Sequence, residues 1–147
     1  MAASFTYTIL RACLTPDDEE VMGAIVESAA LELVSSFPFV DELAKRDENP
    51  DLTVPTLTFI RSADQCYFVI WSELVGQFVL YCPTHEWLVE GVTDIRDAHE
   101  CLRTFFASDD KNLASSFAGL VRKYQFDSSR AVVLPGMQDP NTSLPLN

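Results

Sequence analysis

The stretch VPTLTFIRSADQCYFVIWSELVGQFVLYC, residues 54–82, decides the fold. It holds three runs rich in β-branched and aromatic residues. The first covers 54–61 (Leu57, Phe59), the second 66–73 (Tyr67, Phe68, Val69, Ile70, Trp71) and the third 77–82 (Phe78, Val79, Leu80, Tyr81). The links are Ser62-Ala63-Asp64-Gln65 and Leu74-Val75-Gly76. A parallel crossover needs about a dozen residues, so links this short predict antiparallel neighbours. The second and third runs are continuously apolar, which predicts central strands or strands covered on both faces.

Upstream, residues 4–13 alternate Phe5, Tyr7 and Ile9 with small or polar residues and read as a first strand. Thr15-Pro16 then opens a helix predicted over 16–36. Threonine suits its N-cap, proline its first position, and Asp17, Asp18, Glu19 and Glu20 the positive end of its dipole. Met22, Ile25, Ala29 and Leu33 fall at helical spacing. A charged connection, 38–53, follows, with a short helical turn at 39–46.

Downstream, residues 83–92 read equally as an extended segment or a short helix. Thr93 is read as the cap of a helix over 94–107, whose apolar face is Ile95, Ala98, Leu102, Phe105 and Phe106. Asp109-Asp110 caps another over 111–125, with Leu113, Phe117, Leu120, Val121 and Tyr124. A last strand at 130–134 stops at Pro135-Gly136. The predicted class is α+β: an antiparallel meander of about five strands with helices packed on one face, in the order β-α-β-β-β-α-α-β. One domain is expected over 1–136, with an extended tail over 137–147.

The chain has 147 residues, enough for a core without metal or disulfide staples. Its net charge of −12 opposes binding to phosphate backbones and to anionic membranes. Neither a secretory leader nor a membrane-length apolar run is visible, so a cytoplasmic location is expected. The charge is uneven. Residues 1–52 hold 11 acidic and three basic side chains, while residues 93–147 hold seven and six.

Phosphate-binding glycine loops are absent: the five glycines are scattered and form neither GxGxxG nor GxxxxGK[ST]. Cys13, Cys66, Cys82 and Cys101 include no CxxC pair and read as reduced, buried thiols. Cys82-x-x-His85 has ligand-like spacing, and His99 and Cys101 lie close behind. Residues two apart on a helix point in nearly opposite directions, however, so His99 and Cys101 suit one metal poorly. Cys82 and His85 are therefore weak metal candidates, and no metal or cofactor is expected. A hydrolase using Cys82 or Cys66 with His85 or His99 lacks the cations that would favour a thiolate.

These features point to a protein-binding module that neutralises or escorts a basic protein, such as a toxin or a secreted protein, and not to an enzyme. Its expected contact residues are Asp17, Asp18, Glu19, Glu20, Asp41, Glu42, Asp47, Glu48 and Trp87, acids that attract a basic partner beside an aromatic anchor. In size, acidity and α+β build the chain resembles bacterial immunity proteins, a likeness of general character carried by no motif. The alternatives are a dimer resembling secretion chaperones, and a small enzyme or ligand-binding domain with a Cys82/His85 pocket. A homodimer is the assembly that the first alternative implies.

Overall fold

A computed structural model describes residues 4–12, 19–46 and 53–125. The meander read from residues 54–82 is present: β3 (Thr56–Arg61), β4 (Cys66–Leu74) and β5 (Gln77–Cys82) pair antiparallel in sequence order. β1 (Phe5–Leu10) pairs with β3, β2 (Glu20–Ala24) with the far side of β1, and β6 (Trp87–Val92) with β5. The result is one six-stranded antiparallel sheet in the order β2-β1-β3-β4-β5-β6. The protein is α+β, with α1 (Glu27–Ser36), α2 (Phe39–Ala44), α3 (Ile95–Phe106) and α4 (Asp110–Gln125) completing it.

The core lies between the sheet and the helices. Leu57 and Phe59 of β3, Cys66, Phe68 and Ile70 of β4, and Leu80 and Cys82 of β5 point into it. α3 contributes Ala98, Cys101, Leu102 and Phe105, and α4 contributes Leu113, Phe117, Leu120, Val121 and Tyr124. Both helices thus bury the faces that their spacing predicts. Asp109 accepts from the Asn112 amide and opens α4 as expected. The cap of α3 is Asp94 and not Thr93: its carboxylate accepts from the Arg96 amide.

Two further expectations change. The helix predicted over 16–36 is a strand followed by a helix. Gly23 adopts φ +95°, which a helix interior does not allow, and Met22 has no partner in the β1–β2 register, which marks a bulge. Pairing along β1 outweighs the helical spacing of Met22 and Ile25. α1 starts only at Glu27, and its buried face is Ala30 and Val34, one residue on from the predicted Ala29 and Leu33. The ambiguous 83–92 segment is a 3₁₀ turn, Pro83–His85, leading into β6, which raises the strand count to six. β4 and β5 are interior strands of the sheet, as their continuously apolar runs predict. The outer residues of these strands shelter one another, as Trp71 meets Tyr81 edge-on at 5.9 Å between ring centres. The strand predicted at 130–134 and the tail 137–147 lie outside the described residues, as does Cys13.

Candidate functional site

The acidic surface expected around residues 17–48 resolves into residues of different standing. Asp17, Asp18, Asp47 and Glu48 lie outside the described residues. Glu19 and Glu20 flank the start of β2, are exposed, and are tethered lightly: Thr8 Oγ1 donates to Glu19, and Arg11 Nε lies 3.5 Å from Glu20. Asp41 is exposed on α2.

Glu42 differs, being only 3% exposed. Its carboxylate accepts from the Ala12 amide at 3.0 Å and from Lys45 Nζ at 2.8 Å, and Arg11 lies at 3.5 Å. The residue therefore ties α2 to the end of β1 and is not displayed to a partner. Burial alone would raise its pKa, but Lys45, the Ala12 amide and Arg11 together hold it below the ordinary 4.5. A depressed carboxyl stabilises the fold fully above that ordinary value and loses the effect as pH falls through its own folded-state pKa. Glu42→Gln is therefore expected to cost about 1–2 kcal/mol at neutral pH and nothing once wild-type Glu42 is protonated. Melting temperatures of the two proteins, followed from neutral to strongly acid pH, should converge.

The acid-rimmed edge is otherwise apolar. Val21 is 80% exposed, Met22 45% and Val26, just beyond β2, 66%. Among the described residues no strand pairs with the outer side of β2. A groove of about 680 Å³ runs alongside, between β1, the end of β2 and α1, lined by Tyr7, Ile25, Ala29 and Leu33 among others. Glu27 and Glu32 add further exposed acids to α1.

A second cluster lies at one end of the sheet's inner face. Arg61, at the end of β3, is 4% exposed. Its Nε and Nη2 donate to Asp64 at 3.0 and 2.9 Å, Nη2 also meets Asp110 at 3.0 Å, and Nη1 reaches the Phe105 carbonyl at 3.4 Å. The hydrogen bonds to Asp64 raise the guanidinium's pKa against the opposing effect of burial, with help from Asp110, and the same pairing lowers Asp64. Arg61 Nη2 reaches both Asp110 oxygens at 3.0 Å, and His85, in the turn after β5, shares Oδ2 through Nε2 at 3.0 Å. Trp87 stacks on the His85 ring at 4.3 Å and leans on Phe117 at 5.7 Å. It is half-buried packing as much as display.

Below His85 lie Cys66 and Cys82, both buried, with Sγ atoms 3.9 Å apart. Burial, then the neighbouring Cys66, pushes the Cys82 thiol well up. A neutral, inaccessible thiol is a poor nucleophile, which weighs against the hydrolase reading. The structure brings Cys82 and His85 together, as their spacing suggests, but adds Cys66 in place of His99 and Cys101. His99 instead meets Ser35 at 2.9 Å, and burial followed by repulsion from Arg103 lowers its pKa. Cys101 packs in α3, its pKa pushed up to about 12 by burial first and then by Glu100 and Asp97.

Arg61, Asp64 and Asp110 were not singled out from sequence. One signal was available: Arg61 continues the inward alternation of Leu57 and Phe59, an unusual place for a charge. Among the described residues no helix is long and apolar enough to cross a membrane. No protein-family model, curated protein or solved structure matches this chain.

Proposed function

We propose that the chain is a protein-binding module that neutralises or escorts a basic partner, gripping it along β2 in the manner of an immunity-type inhibitor. One observation carries this reading: among the described residues β2 is an edge strand exposed along nearly its whole length, apolar at Val21 and Met22 and rimmed by Glu19 and Glu20. An open apolar edge invites an added strand, and proteins that do not use one blunt it with lysine, proline or cover. Among the described residues the charges that β2 and its start carry are the negative ones of Glu19 and Glu20, with Arg11 beside Glu20, so the strand that fits is a basic one. A second copy of β2 laid parallel and in register would set glutamates against glutamates, which disfavours self-pairing in that orientation.

The test is capture by the immobilised chain from a lysate of its source, followed by identification of the bound protein. One basic protein is expected, released by moderate salt. Glu20→Lys with Glu27→Lys should weaken its capture roughly tenfold or more. Val21→Lys should do the same through the edge itself. Equal capture of that protein by all variants would remove β2 as the contact.

A further inference from the structure

We propose that Cys66, Cys82 and His85 form a binding site for a thiolate-preferring divalent metal ion of the zinc type. One ligand atom from each lies within 4.8 Å of the other two. The separation of the two sulfurs is the most specific feature. Two thiolates at about 2.3 Å from a tetrahedral zinc sit ~3.8 Å apart. Cys66 and Cys82 stand at 3.9 Å.

A disulfide fits the same pair less well. β4 and β5 pair Val69 with Tyr81, and continuing that register sets Phe68, not Cys66, across from Cys82. The two cysteines are therefore diagonal neighbours, whose Cβ atoms stand farther apart than the ~3.8 Å that a disulfide prefers. A metal spans the gap with no movement of the strands.

The surroundings suit the ion. Two thiolates neutralise its two charges, so a neutral unit occupies the buried end of the sheet. The two thiol protons leave to solvent as the metal enters. The access side is His85, which is partly exposed in its turn and stacked on Trp87. Asp110, bonded to the imidazole, supplies the carboxylate that commonly orients a metal-bound histidine, and Arg61 holds Asp110 in turn. With three protein ligands, the fourth position is open to water or a small anion.

Cobalt(II) titration of the full chain under reducing conditions tests this. One equivalent should produce thiolate-to-cobalt charge transfer and the visible bands of tetrahedral cobalt, and zinc should abolish both by displacement. His85→Ala, in the partly exposed turn, should weaken binding by about 100-fold, as should Cys66→Ser and Cys82→Ser. Cys101→Ser removes an equally buried thiol outside the cluster and should leave the titration unchanged. Circular dichroism confirms that each variant is folded before its result counts. The proposal is overturned if the folded wild-type chain gives no tetrahedral spectrum. It is also overturned if His85→Ala binds as tightly as wild type, or if Cys101→Ser loses binding as fully as Cys82→Ser.

Discussion

Phe105→Ala is expected to cost about 3–5 kcal/mol, which approaches the whole stability of a marginal domain. Phe105 is fully buried on α3. Its ring meets Phe5 edge-on at 5.5 Å, Phe68 at 5.6 Å and Phe106 at 5.9 Å, and Arg61 Cζ lies 5.3 Å from its centre. Truncation therefore opens a cavity between β1, β4 and α3, where the sheet cannot collapse without breaking its ladder. Phe106, half-buried and stacked on Phe5 at 4.2 Å, provides the comparison. Its alanine variant should lose about half as much, in proportion to the area it buries. Urea unfolding followed by circular dichroism reads both. Equal losses for the two would mean that α3 is rotated from the position described.

The second large effect concerns the ion cluster, and its size depends on which partner is removed. Asp64→Asn together with Asp110→Asn leaves the Arg61 guanidinium buried without a counter-charge, at a cost of about 3–5 kcal/mol. Arg61→Met instead leaves two carboxylates that are already partly in water, and replaces the buried charge with an apolar chain of similar length. Its cost should be smaller, about 1–3 kcal/mol, mostly for the Phe105 carbonyl left without its donor. Asp64→Asn alone, at the more exposed carboxylate, should fall within about 1 kcal/mol of wild type. Denaturation midpoints of the three variants give the ranking. If Arg61→Met proves the most damaging, the guanidinium stabilises the fold through its packing rather than needing its two acids.

Some of this architecture was legible because the forces that set it are local. The links at 62–65 and 74–76 are too short for anything but antiparallel pairing, and α3 and α4 bury the residues that recur at helical spacing. β2 was not legible, because its cause is not local. Thr15, Pro16 and four successive acids make a convincing helix start, and only Gly23 argues against the helix running through. What places Val21 and Met22 in a strand is the open side of β1, about ten residues upstream, and the helical signals within the segment itself carry no trace of that pairing. The sites divide in the same way. Cys82 and His85 are three residues apart and were visible as a pair. Cys66, Arg61 and Asp110 join them from two other strands and a helix, and no spacing encodes that meeting. Glu42 looked like one more exposed acid because nothing in its neighbours announces that the Ala12 amide needs an acceptor.

The strand order carries a consequence in time. β1 is synthesised before the other five strands of its sheet, yet one of its two neighbours is β3, with Phe5 facing Arg61. At about 5–20 residues per second, the ribosome takes roughly 3 to 11 seconds to bridge that interval. The other neighbour, β2, arrives sooner but makes only a two-stranded ribbon, which is marginal in water. Phe5 and Ile9 therefore wait uncovered until the meander from β3 onward has formed and offers them a template. The strand of this sheet made before the others is the one inserted late, and that waiting interval is when a nascent chain of this topology is most exposed to aggregation.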